Sequence, residues 1–194
     1  MKTLVFATHN LNKLKEIQAM MPESISLKSL TDIGCTEEIV EDADTIEGNA
    51  LIKSRYIKKE YGLDCFADDT GLEATALNGK PGVYSARYAG PHKDSRDNMA
   101  KLISALKNKK DRSARFKTVI AFSMDGQEHT FEGVCKGEIT REPFGEKGFG
   151  YDPIFKPEGE NRTFAEMSLE EKAKLSHRGK AFKKFINYIN SNGL

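Results

Sequence analysis

The sequence predicts an α/β protein built on a mixed β-sheet. Three observations carry this. Strand and helix patterns alternate through the first part of the chain. Two later strand-like runs flank Asp125-Gly126, a hairpin signal, which makes part of the sheet antiparallel. No Pro/Gly/Ser-rich linker interrupts the 194 residues, so residues 1–194 are expected to form a single domain.

Taken in order, Thr3 to Thr8 is uncharged and mostly apolar, the pattern of a buried strand and not of a signal peptide. Leu11, Leu14, Ile17, Met20 and Met21 then recur at helical spacing from about Asn10, and Pro22 stops them. A short strand is expected around Ile25 to Leu30. An acidic irregular stretch from 31 to 44 precedes a helix over Thr45 to Tyr61, with Thr45 as N-cap and Gly62 as stop. Cys65-Phe66-Ala67 reads as a buried strand ending in Asp68-Asp69-Thr70-Gly71. Leu72 to Leu77 and Val83 to Tyr88 read as extended, with a turn at Asn78 to Gly82. Asp94 to Leu106 is helical, Phe116 to Met124 and Glu128 to Ile139 are paired strands, and 143 to 163 is an ordered loop. Ser168 to Leu175 and Ser176 to Asn190 are helical.

Composition excludes several roles. Lys and Arg total 30 and Asp and Glu 29, a net charge of +1, without the basic excess of a duplex-binding protein; no nucleic-acid partner is expected. No run approaches the 18 or so apolar residues of a membrane span. Cys35, Cys65 and Cys135 are isolated, odd in number and not at metal-ligand spacing, which suits core residues in a reducing cytoplasm.

Three segments carry chemistry. Thr8-His9-Asn10-Leu11-Asn12-Lys13 is a strand-to-helix turn. Backbone N–H groups, the Thr8 hydroxyl and the Lys13 ammonium there suit phosphate, although Asn10 could equally be an ordinary helix cap. Asp68-Asp69 places adjacent carboxylates at the end of a buried strand. Such a pair suits a hard cation such as Mg²⁺ bridging substrate phosphates, or a backbone-bonded turn. Phe149-Gly150-Tyr151-Asp152 puts aromatic rings and a carboxylate on a glycine-rich loop able to stack on a planar base and read its edge. Lys172 and Arg178 could reach phosphate or a base carbonyl, and His177 could be a contact or a cap.

The strings Asp68-Asp69-Thr70-Gly71-Leu72-Glu73, Pro81-Gly82-Val83-Tyr84-Ser85-Ala86-Arg87-Tyr88, Gly148-Phe149-Gly150-Tyr151-Asp152-Pro153-Ile154-Phe155 and Ser176-His177-Arg178 occur in this order. With Thr8 to Lys13 they resemble the inosine triphosphate pyrophosphatase family, nearly end to end. That resemblance implies an elongated mixed sheet with two lobes around a central nucleotide-binding cleft, in a cytoplasmic homodimer. It implies Mg²⁺-assisted hydrolysis of XTP, ITP and dITP to the monophosphate and pyrophosphate. By resemblance, Asp69 is the catalytic and metal-binding carboxylate, with Glu41 and Asp68 as further metal ligands. Thr8 to Lys13, with His9, Leu11 and Asn12 among them, form the phosphate loop. By the same resemblance Thr70 is a substrate-contacting hydroxyl, Lys53 and Arg87 lie near the phosphates, Phe149, Gly150, Tyr151 and Asp152 form the base-binding loop, and Lys172, His177 and Arg178 are the remaining nucleotide contacts. This chain departs from the family pattern in having His9 for glycine. It also has Ala43 and Gly48, where relatives commonly have a glycine and a carboxylate. A pyrophosphatase for standard or pyrimidine nucleotides and a non-catalytic nucleotide binder are the alternatives.

Overall fold

The computed structural model describes residues 2–124 and 126–193; Met1, the hairpin residue Asp125 and Leu194 lie outside them. In chain order the described elements are β1 (Lys2–Phe6), α1 (Leu11–Gln18), β2 (Ile25–Ser29), α2 (Ile46–Tyr61), β3 (Cys65–Ala74), β4 (Pro81–Gly82) and α3 (Ser95–Ala105). They continue with β5 (Ser113–Met124), β6 (Gln127–Ile139), β7 (Phe155–Pro157), α4 (Leu169–Leu175) and α5 (His177–Ser191). The described strands form a seven-stranded sheet in the order β2-β1-β3-β5-β6-β7, with β4 paired to β3. β1 runs parallel to β2 and β3; β4 is antiparallel to β3, and β7 to β6. The sheet is therefore mixed, as the alternating patterns imply. No described helix is long and apolar enough to cross a membrane.

The chain divides into two compact units. Unit 1 comprises 1–69, 118–133 and 178–194, and unit 2 comprises 70–117 and 134–177. In unit 1, one core gathers Leu4, Phe6, Ile17, Phe66, Phe122, Phe182 and Phe185. Phe6 stacks on Phe66 with ring centroids 4.7 Å apart. Burying such a ring stabilises by about 1.5–3 kcal/mol. A second cluster in the same unit holds Val5, Ala7, Ile57, Cys35, Cys65 and Ala67. In unit 2 the core is Leu72, Leu102, Leu106, Phe116, Ile154, Phe155 and Phe164. All three cysteines are buried. Burial pushes the Cys65 thiol up to about 12, which makes it a packing residue and not a nucleophile.

Helix ends follow the sequence closely. The Thr45 hydroxyl accepts the Gly48 N–H at 3.0 Å, and Gly62 closes α2 in the left-handed conformation at φ 66°. Asp94 caps α3 and Ser168 caps α4. Replacing Thr45 with Ala is expected to cost about 1 kcal/mol in urea unfolding. An unchanged midpoint would show that the cap is dispensable.

Three expectations fail. β3 does not stop before Asp68 but continues to Ala74, carrying Asp68 to Gly71 as strand residues. Residues 83–88 are not extended: Ser85–Arg87 is a turn of 3₁₀ helix. The buried Ser85 hydroxyl causes it, donating to the Gly82 carbonyl at 2.6 Å and accepting the Leu72 N–H at 2.8 Å, so the chain folds back. Thr75–Leu77 is likewise a 3₁₀ turn.

Candidate functional site

In unit 1 the chain leaves β1 towards β2 on one side and later returns as β3 on the other. The carboxyl end of β1 is thus a topological switch point, where open α/β sheets bind ligands. Pairing of Phe6 with Phe66, extended by the Ala7 N–H bond to the Phe66 carbonyl at 2.8 Å, aligns the loop after β1 with Asp68 and Asp69. That loop starts α1. Asn10 is the N-cap, its side-chain oxygen accepting the N–H groups of Asn12 and Lys13 at 3.0 and 3.2 Å. The Asn10 N–H itself donates to Thr8 Oγ1 at 3.1 Å. Leu11 is exposed, as is Asn12, and His9 donates from Nε2 to the Glu37 carbonyl at 3.0 Å. His9 therefore ties this loop to the acidic segment.

Asp68 is completely buried and both its carboxylate oxygens hold cations. Lys13 Nζ donates to Oδ1 at 2.8 Å and Arg178 Nε donates to Oδ2 at 2.9 Å. Arg178, 1% exposed, also donates from Nη1 to Glu16 Oε2 at 2.5 Å. Lys53 Nζ donates to the Asp68 carbonyl at 2.7 Å and to Glu41 Oε2 at 2.9 Å, and lies 3.9 Å from Asp69 Oδ1. Burial on its own would push Asp68 up. The charges of Lys13, Arg178 and Lys53 outweigh it and hold the carboxyl well below the usual range. Burial pulls Lys13 down, against the attraction of Asp68. Burial would also lower Arg178, but Asp68 and Glu16 reverse the sign.

Asp69 is almost buried, and its Oδ2 accepts the Asn49 side-chain N–H at 3.2 Å. Asn49 Oδ1 accepts the Ala43 N–H at 3.0 Å, so one amide joins the acidic segment to Asp69. A Cβ at Gly48 would stand 2.7 Å from the Ala43 Cβ, so the two positions cannot both carry one without a shift.

Two participants escape sequence reasoning, Glu16 and Asn49. Each has a signal in retrospect: a polar residue on the buried face of an amphipathic helix. Glu16 lies beside Ile17 on α1, one turn from Lys13, and Asn49 lies beside Ala50 on α2, one turn from Lys53.

Unit 2 gathers the second set. Asp152 Oδ2 accepts the Phe149 N–H at 2.8 Å and Lys172 Nζ at 2.6 Å. Lys172 lies over the Phe149 and Phe164 rings, 4.9 and 5.5 Å from their centroids. Gly148, at φ 74°, is obligatory, because a Cβ there would run into the Asp152 carboxylate. Gly150 also has a positive φ of 62°. The buried Tyr151 hydroxyl donates to the Ser85 carbonyl at 2.8 Å, and burial pushes its ionisation above the usual range. His177 stacks on Phe116, centroids 4.4 Å apart. Thr70 and Arg87 are half-buried, with the Arg87 guanidinium 5.2 Å from the Tyr84 centroid.

Asp152 Oδ2 thus organises the 149–152 loop and holds Lys172, and Arg178 gives its Nε and Nη1 to Asp68 and Glu16.

The donor set also tests a divalent cation. Among the described residues no group of three or more His, Cys, Asp or Glu side chains is arranged to hold a metal. Asp68 holds Lys13 and Arg178, Glu41 holds Lys53, and Asp69 accepts from Asn49, so each carboxylate already has a protein partner. One or two carboxylates, completed by substrate phosphates and water, is the usual provision for Mg²⁺, so the residues fit that ion as a companion of a phosphate ligand.

A carboxylate pair within β3 among buried cations, level with the switch point after β1 and beside a helix N-terminus, is the architecture of an α/β protein that handles phosphate. The chain belongs to the Ham1 family, whose model matches residues 4–188. It is 59% identical over 186 residues to a dITP/XTP pyrophosphatase of Flavobacterium johnsoniae, covering 96% of this chain and 97% of the relative. It is 47% identical over 193 residues to a dITP/XTP pyrophosphatase of Bacillus subtilis, covering 97% and 98%. The solved structure of the Staphylococcus aureus Ham1 protein superposes with a TM-score of 0.90 at 37% identity, covering 98% of this chain and 100% of that one.

Proposed function

We propose that this protein is a nucleoside-triphosphate pyrophosphatase that hydrolyses XTP, ITP and dITP to the monophosphate and pyrophosphate, clearing them from the nucleotide pool. The observation that carries the reading is the Asp68–Asp69 pair at the β1/β3 switch point, with Lys13, Lys53 and Arg178 packed around it. The names of its high-identity relatives support the same reaction.

A triphosphate carries about four negative charges, and each left uncompensated away from water costs several kcal/mol. Lys13 and Lys53, paired here with Asp68 and Glu41, are assigned part of that charge, and Arg87 and Lys172 the rest. The Asn10-capped start of α1 presents backbone N–H groups and the positive end of the helix dipole. Asp69 takes the role of base: held by Asn49, it orients a water for attack on the α-phosphorus and accepts its proton as the pyrophosphate leaves. Asp69 and Glu41 would hold Mg²⁺, which would supply charge neutralisation and a more acidic water. Phe149 and Tyr151 are assigned to the base, whose 6-oxo group is to be matched by a donor that adenine's amino group would leave unsatisfied. A cytoplasmic homodimer, with neither nucleic acid nor membrane as partner, completes the proposal.

Pyrophosphate release from XTP, ITP, dITP, GTP and ATP, with and without Mg²⁺, tests it. Hydrolysis of the first three is expected to exceed that of ATP by at least about 100-fold in kcat/KM, to stop with a chelator and to return with Mg²⁺. Equal turnover of ATP and ITP would refute the selectivity, and full activity in chelator would refute the metal.

A further inference from the structure

We propose that Asn98 is a positioning residue, whose side-chain amide fixes the Ala86–Ala89 backbone and so presents Arg87 to the nucleotide's phosphates. This rests on the function proposed above, in which Arg87 is a phosphate contact.

Asn98 lies on α3 and is buried, 4% exposed. A buried amide on a helix must satisfy both its donor and its acceptor or destabilise the fold. Asn98 does so on one four-residue segment. Its Oδ1 accepts the Ala89 N–H at 2.6 Å and its Nδ2 donates to the Ala86 carbonyl at 3.0 Å. The two bonds bracket Arg87 and Tyr88 and fix the orientation of the amide, since an N–H only donates and a carbonyl only accepts.

One turn further along α3, Lys101 Nζ donates to the Tyr88 carbonyl at 2.5 Å and lies 4.6 Å from the Tyr88 ring centroid. On the other flank, the Tyr151 hydroxyl holds the Ser85 carbonyl. Tyr88 packs partly against the core, but Ala86 is exposed and Arg87 and Ala89 are half-buried. Side-chain burial therefore does little to order this stretch, and hydrogen bonds from α3 and Tyr151 take its place. What the Asn98 amide orders is the backbone that carries Arg87, whose guanidinium also rests on Tyr84. A leucine at 98 would serve the core as well; only an amide serves the loop.

The test is a double-mutant cycle on ITP hydrolysis with Asn98→Ala, Arg87→Ala and the pair, and with Asn98→Leu as a variant that keeps side-chain bulk. Each Asn98 variant is expected to lower kcat/KM by about tenfold, mainly through KM, the scale of a contact group displaced by a fraction of an ångström. In the Arg87→Ala background the same substitution should change kcat/KM by less than about twofold, because the group it positions is gone. Hydrogen exchange of the wild-type and Asn98→Leu proteins should show protection lost at residues 84–90 and kept in the strands. Full multiplication of the two losses, an inactive role for Arg87, or unchanged exchange at 84–90 would each overturn the proposal. A wild-type chain inert on XTP, ITP and dITP would overturn the proposed function and the role of Asn98 with it. Additive losses in an active enzyme would overturn the role alone.

Discussion

Asp69→Asn is expected to lower kcat for ITP by about 10³-fold, the usual value of a positioned general base, with little change in stability. The two halves of this expectation come from the same contacts. Asp69 Oδ2 accepts from Asn49, and an asparagine oxygen at that place can accept the same bond. Lys53 is 3.9 Å from Oδ1, too far for a strong hydrogen bond, and its ammonium keeps the Asp68 carbonyl and Glu41 in the variant. The fold therefore loses little, while the only group assigned to take the proton from water is removed. Steady-state kinetics alongside thermal unfolding decide the matter. A variant within about tenfold of wild type would take Asp69 out of the chemistry.

The second large effect falls on stability. Asp68→Asn is expected to cost about 3–5 kcal/mol, because it leaves Lys13 and the buried Arg178 facing a neutral amide. Urea unfolding at pH 7 measures it, and a loss below about 1 kcal/mol would show that the cations find other partners. The pH dependence gives a second reading. The folded-state ionisation of Asp68 lies below the unfolded value of about 3.9, so its contribution is complete above about pH 4 and declines as the pH falls further. The gap between wild type and Asp68→Asn should therefore narrow below pH 4. A gap that stays constant from neutral pH into that range would contradict the assigned role.

Much of the fold was legible because local chemistry decides it. Thr45 and Gly62 bracket α2, Asp94 starts α3 and Ser168 starts α4, each where the residue type places it. The failures share a cause. Asp68 and Asp69 look like strand terminators, yet they remain in β3 because cations and an amide from α1, α2 and α5 satisfy them. Val83 to Tyr88 has the composition of a strand, yet the Ser85 hydroxyl and the Tyr151 phenol bend it into a turn. Apart from the Ser85–Gly82 bond, the partners in these cases are distant in sequence, and no short window along the chain contains both sides.

The candidate site was legible as residue types and less so as roles. Lys13, Lys53, Asp68 and Asp69 do come together in unit 1, and Phe149, Tyr151, Asp152 and Lys172 are linked in unit 2. Asp68, read as a metal contact, collects cations, among them Arg178, which is joined to Glu16 across 162 positions of sequence.

That separation bears on synthesis. Glu16 and Asp68 leave the ribosome early, and Arg178 enters only with the first turn of α5. Until then Asp68 lacks one of the cations that hold it ionised away from water, and Phe182 and Phe185 are missing from the core beneath it. A nascent chain halted before α5 would leave Asp68 electrostatically incomplete, so the same helix that finishes the core also completes the charge balance around that carboxylate.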